Sequence, residues 1–192
     1  MPADNSNIKG SCIKSVCEFV KADAGEQKWQ QIIEKLPALD RAAFFGVILP
    51  SKWYPIESYF NLLREIEKQI GGAARPDLGI EIGKKIIADG LNSFYRMMMG
   101  ILNTSWILTK APSLWKMYFD KETLTILHVS DGRLEVKIDT PLDPPKMYCC
   151  AVMGGILQAL ESSGGRQCRG QEVKCRANHE ACCEYHLTWQ MK

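Results

Sequence analysis

Apolar residues recur every three or four positions through most of the first two thirds of the chain. Between Ile8 and Val20, the residues Ile13, Val16, Phe19 and Val20 form one stripe, with Gly25 beyond it as a stop. Between Gln27 and Leu36, the residues Trp29, Ile32, Ile33 and Leu36 form a second, which ends before Pro37. Both predict amphipathic helices. A stronger one opens at Tyr54-Pro55, where Pro55 suits the first helical position, and Ile56, Tyr59, Phe60, Leu63, Ile66 and Ile70 share a face before Gly71-Gly72. A further helical pattern runs from about Leu78 to Leu102 through Ile82, Ile86, Ile87, Phe94, Met97, Met98 and Ile101. Gly83, Gly90 and Gly100 are the points where it is expected to bend or break. Pro112 then begins a short apolar segment, Ser113 to Phe119.

The period changes after Asp120. Glu122 to Val129 and Arg133 to Asp139 are β-rich runs flanking Ser130-Asp131-Gly132, a hairpin signal in which Gly accepts positive φ. Pro141 to Pro145 reads as a loop. Lys146 to Glu161 returns to helical spacing, with Cys149, Val152, Met153, Ile156 and Leu160 on one stripe, and Ser162 to Gly165 ends it. Gln171 to Ala177 and Cys183 to Trp189 form a second strand pair around Asn178 to Glu180. These elements predict an α+β domain in which N-terminal helices pack on a roughly four-stranded antiparallel sheet. A single domain is expected over residues 1–192, helical over 8–120 and strand-rich with one helix over 121–190.

Charge and composition narrow the function. The 24 Lys+Arg against 22 Asp+Glu, without a cationic run, argue against nucleic acid, whose grip comes from clustered cations. The polar start, Met1 to Gly10, is no signal peptide, and the longest uncharged run, between Arg96 and Lys110, is too short for a membrane span. A cytoplasmic protein is expected, so the eight cysteines read as thiols or metal ligands more readily than as a disulfide framework.

A turn centred on His179 sets Cys175 opposite Cys183 on one face of the last hairpin, close enough for two sulfurs to share a metal. In ideal alternation Val173 and Ala177 share the face of Cys175, and Cys182 and His186 point outward. Cys149 reaches the same region from the preceding helix. Glu172 adds a fourth ligand only if a bulge or the strand start turns it inward. Zinc ligation, buried thiols serving as small hydrophobes and a disulfide all remain open on the residues alone.

Cys149, Gly154, Glu172-Val173-Lys174-Cys175, Ala177 and Cys183-Glu184-Tyr185 resemble the 4-vinyl-reductase domain pattern, an ExxC strand followed by C-x-[FY]. Lys9-Gly10-Ser11, Trp53-Tyr54-Pro55 and Asp143-Pro144-Pro145 extend the likeness upstream, toward a bacterial family of the same fold. That fold is shared by haem-nitric-oxide sensors and TRAPP trafficking subunits. The resemblance implies a structural zinc held by Cys149, Glu172, Cys175 and Cys183 beside an enclosed pocket for an aromatic ligand. His179 departs from it, standing where the pattern has Gly.

Phe94, Met98, Trp106, His128 and Met153 are the candidate pocket residues. His128 faces inward opposite Leu134 if the first hairpin has a three-residue loop, and outward beside Glu135 if Asp131-Gly132 alone forms the turn. The Tyr-x-Ser-x-Arg run with which the haem branch of the fold holds its propionates is missing, so haem is not expected. Phosphate-loop, GxSxG and HExxH signatures are also missing. The leading expectation is a non-catalytic sensor domain enclosing a small hydrophobic or aromatic ligand, with a homodimer as its expected state and an effector protein not specified by the sequence. The alternatives are a TRAPP-like interaction scaffold with an acyl-binding cavity, a tetrapyrrole-related reductase and a haem-based gas sensor.

Overall fold

The computed structural model describes residues 6–91 and 104–190. A short strand β1 (Asn7–Lys9) pairs antiparallel with β2 (Trp53–Pro55), and between them run α1 (Gly10–Ala24), α2 (Glu26–Lys35) and α3 (Ala38–Phe44). Gly25, at φ 90°, closes α1 and opens α2, a conformation that explains why the stop signal there is a glycine. Then come α4 (Ile56–Ile70), α5 (Leu78–Leu91) and α6 (Thr104–Trp115). Pro55 sits one position before the first turn of α4 rather than inside it, and Gly71 caps its end. Pro112 does not begin a segment as expected. It lies inside α6, which starts at Thr104 and stops at Trp115 within a turn of the missing N–H.

The second half forms one four-stranded antiparallel sheet in the order β3-β4-β6-β5, with β3 (Thr123–Ser130), β4 (Arg133–Asp139), β5 (Arg166–Lys174) and β6 (Cys183–Gln190). The long helix α7 (Lys146–Ser162) crosses over between its two hairpins. Leu134, Val136 and Ile138 of β4 and Cys183, Tyr185, Leu187 and Trp189 of β6 are buried at alternate positions, and that face carries the core. The expected α+β architecture, helices on a four-stranded antiparallel sheet, is what the chain adopts.

Two local features differ from ideal alternation, and both matter for the site. Ser130 pairs with Arg133, so Asp131-Gly132 alone makes the first turn, and His128 pairs with Glu135 on the exposed side. In the second hairpin the register shifts between Glu172 and Lys174, so Glu172 stands opposite the buried Tyr185 while Val173 is pushed out to 40% exposure. The expectation that Val173 shares the inner face is corrected by this bulge. His179 takes φ 67°, ψ 18°, the left-handed conformation for which glycine is the easier residue.

Helices α5 and α7 pack in close contact along glycines. A Cβ on Gly83 would stand 1.8 Å from the Ala151 carbonyl oxygen, and one on Gly154 would stand 2.2 Å from that of Ile80. Gly83 is therefore a packing residue and not the break point expected from its low helix propensity. The tight pair holds one wall of the cavity below.

Candidate functional site

A cavity of about 180 Å³ lies between α5, α6 and α7 and the inner face of β3 and β4. Its walls are apolar: Ile87 of α5, Trp106 and Trp115 of α6, Leu134 and Val136 of β4, and Val152 of α7. The lining side chains that carry a polar atom are Cys12, Tyr59, Trp106, Trp115, Tyr118 and Tyr148. Burial pushes the Cys12 thiol up to about 12, so it faces the cavity protonated. Burial raises Tyr59 and Tyr148 well above the usual tyrosine range as well. Trp115 stacks on Phe119 with centroids 4.4 Å apart, and its Nε1 is buried without a hydrogen-bond partner.

Behind Tyr148 lies Glu122, only 1% exposed, which accepts the Tyr148 hydroxyl at Oε2 and leaves Oε1 buried without a partner. Burial raises its carboxyl to about 7, against the hydrogen bond from Tyr148, which lowers it.

The second cluster sits where α7 meets the far end of the β5–β6 hairpin. Cys149, Glu172, Cys175 and Cys183 each offer one ligand atom, and the four atoms lie within 4.8 Å of one another. The Sγ atoms of Cys149 and Cys183 are 3.5 Å apart. Sulfurs bound to one tetrahedral ion at about 2.3 Å stand roughly 3.8 Å from each other, so the spacing needs little adjustment. The bulge at Val173 is what turns Glu172 to this side. One carboxylate oxygen of Glu172 accepts from Lys146, whereas Oε1 is buried and unpartnered. Lys146 also donates to the Cys175 sulfur at 3.4 Å. Burial pushes Cys175 up, and the shared proton with Cys183 pushes Cys149 up. Cys183 is drawn down to about 7 by Cys149, helped by the Arg176 amide, which donates to its sulfur at 3.4 Å.

The sequence-based pocket residues fare unequally. Trp106 lines the cavity. His128 is exposed on β3, and Met153 packs beside Gly170 of β5, so neither is among the lining residues. Phe94 and Met98 lie outside the described residues. Cys182 faces away from the sulfur cluster as expected but is buried at 7% exposure, not a surface thiol. Sequence reasoning missed Cys12, Tyr59, Trp115, Tyr148 and Glu122. The one signal for the last was an acid opening an otherwise apolar strand.

Known structures share this arrangement of helices on a four-stranded antiparallel sheet. This chain is similar to an H-NOX protein from S. oneidensis in the Fe(II)NO ligation state, at 12% identity and a TM-score of 0.73, over 95% of this chain and 99% of that one. It is similar to the Fe(II) unliganded H-NOX protein from K. algicida at 12% identity and TM-score 0.72, over 96% and 98%. The SO2144 H-NOX domain from Shewanella oneidensis in the Fe(II)CO state matches at 13% identity and TM-score 0.69, over 96% and 100%. No family model and no curated protein matches the sequence. At these identities the likeness establishes the fold, the haem-nitric-oxide-binding one. The expectation that haem is to be set aside is corrected by this result: a missing propionate motif does not separate the chain from a fold whose known structures are Fe(II), Fe(II)NO and Fe(II)CO H-NOX proteins.

Proposed function

We propose that the chain works as one sensory domain whose receptor site is the cavity between α5, α6, α7 and the sheet. The observation that carries this is the apolar lining of that cavity between helices and sheet. The fold likeness supports haem as the ligand, and with it gas sensing, since the H-NOX neighbours are in Fe(II)NO and Fe(II)CO ligation states. Haem is several times larger than this cavity and would enter it only with the cavity widened; bound, it would supply an iron centre for a diatomic gas. The chain's imidazoles, on His128, His179 and His186, are not among the lining residues. The residues offering the iron a ligand would be Cys12, Tyr59, Tyr118 or Tyr148, types that hold haem iron elsewhere.

A second reading, a single-ring aromatic bound directly, is favoured by size. The cavity of about 180 Å³ compares with the roughly 150 Å³ cavity that takes benzene in an engineered protein. The test is reconstitution of the purified protein with hemin, read as a Soret band, alongside thermal shifts with single-ring aromatics. A Soret band altered by Cys12→Ala or by one of the tyrosine-to-Phe variants supports the first reading. A thermal shift with ring compounds alone, lost in the cavity-filling variant Ala159→Phe, supports the second. No uptake of either class by folded protein overturns both.

The four-residue cluster is the finer part of the proposal. Cys149, Glu172, Cys175 and Cys183 would close a sulfur-rich shell around a thiophilic divalent cation, with no open position, and such a shell is structural. The unpartnered, buried Glu172 Oε1 supports this, because a bound ion is one of the few things that repays such an atom.

A further inference from the structure

Among the described residues nine large apolar side chains are exposed, and five of them, Leu39, Phe45, Val47, Leu49 and Trp53, fall within residues 35–53. Leu39 is 87% exposed, Phe45 76% and Val47 84%. Phe45, Val47 and Leu49 alternate along a segment anchored by the buried Phe44 and Ile48, so their side chains project as one apolar edge. Patches of this kind on a single chain mark an interaction surface.

The charges around the edge say what it meets. Lys35, Arg41 and Lys52 are exposed and make no ion pair among the described residues, Arg41 donating instead to the Glu34 carbonyl at 3.5 Å. Lys9 lies over the Trp53 ring at 3.9 Å, and Lys52 over that of Tyr54 at 5.2 Å. The single acid of the stretch, Asp40, is buried and occupied, accepting from Ser58 Oγ at 2.6 Å and Asn61 Nδ2 at 2.8 Å. The exposed side chains of residues 35–53 are therefore apolar or small, apart from unpaired cations and Ser51. A second copy placed on this surface by a two-fold axis would bring the cations against themselves. An anionic bilayer supplies apolar depth and negative headgroups together.

We propose that residues 35–53 dock the protein on an anionic lipid surface. Phe45, Val47 and Leu49 enter the boundary between headgroups and acyl chains, Trp53 stays at headgroup level, and Lys35, Arg41 and Lys52 meet lipid phosphates. No helix among the described residues is long and apolar enough to cross a membrane, so the protein lies on the surface rather than spanning it. The proposal is independent of what fills the cavity.

Co-sedimentation of the full chain with vesicles tests it. Binding is expected to phosphatidylcholine mixed with phosphatidylglycerol, to fall with added salt and to be weak on phosphatidylcholine alone. Phe45→Ser with Val47→Ser should weaken partitioning by at least about ten-fold, and Arg41→Gln or Lys52→Gln by about five-fold each. All four positions are exposed, so melting temperatures should stay at the parent value. Absence of vesicle binding overturns the proposal, as does binding that the Phe45→Ser, Val47→Ser protein retains. A concentration-dependent dimer seen by sedimentation velocity, abolished by Phe45→Ser and accompanied by no vesicle binding, would assign the surface to a second copy instead.

Discussion

Glu122 shows how one buried acid couples the strand sheet to the cavity. The groups that face it are Tyr148 of α7, the Thr140 hydroxyl after β4, Cys183 of β6, Asp120 on its own segment, and, more distantly, Cys12 of α1 and Tyr59 of α4. None of these bears a positive charge. With its carboxyl raised from 4.5 to about 7, the folded state holds a proton that the unfolded chain has released at neutral pH. The stability tied to that proton is fully present below the unfolded value and is lost as pH rises through 7. The loss between the two ends is roughly 3 kcal/mol. Glu122→Gln keeps an acceptor for the Tyr148 hydroxyl and removes the titration. Its melting temperature relative to the parent should rise as pH goes from 4.5 through 7 and then level off. A difference that does not vary with pH would show that Glu122 is not the group being titrated.

At the scale of elements, the contact between α5 and α7 is the most exacting. Each interior glycine costs a helix about 1 kcal/mol relative to alanine, and here the return is backbone-to-backbone approach at Gly83–Ala151 and Gly154–Ile80. Gly83→Ala should force the helices apart and destabilise the protein by about 3 kcal/mol, measured by urea unfolding. Because Gly83, Ile87 and Gly155 also border the cavity, ligand uptake should fall with it. The periodicity of apolar residues located α1, α2, α4, α7 and the strands β3, β4 and β6 close to where they fold. It did not separate a glycine that breaks a helix from one that lets another helix in, because that depends on a partner about 70 residues away in the chain. The edge strand β5 was placed late, since Arg166 to Glu172 is polar and lacks the alternation that a half-buried strand displays. The sulfur cluster was legible because Cys175 and Cys183 flank one short turn and Cys149 lies on the apolar stripe of the helix packed against it. The cavity was not, because its walls come from α1, α4, α5, α6, α7 and two strands at once.

For the whole molecule, the sulfur cluster decides how the last hairpin is held. Cys149 comes from α7, Glu172 from β5, Cys175 from the turn and Cys183 from β6, so a bound cation would join the helix that walls the cavity to the end of the sheet. Without one, the same place holds two close sulfurs, a buried carboxylate oxygen without a partner and the Lys146 ammonium beside Glu172 and Cys175. Protein purified without added metal should therefore carry close to one equivalent of a thiophilic metal by elemental analysis. Removing it with a chelator, or replacing Cys175 or Cys183 by Ser, should cost about 3 kcal/mol or more, which lowers the melting temperature of a chain this size by roughly 6–12 °C. Cys182→Ser is the control. Its side chain is buried but lies on the opposite face of the sheet, so the substitution should change the melting temperature far less than Cys175→Ser and leave metal content unchanged. Metal-free protein in which Cys175→Ser and Cys182→Ser melt alike would reduce the three inward cysteines to core packing, and the hairpin would then be held by Tyr185, whose hydroxyl donates to the Cys149 carbonyl at 3.0 Å, and by the apolar face of β6.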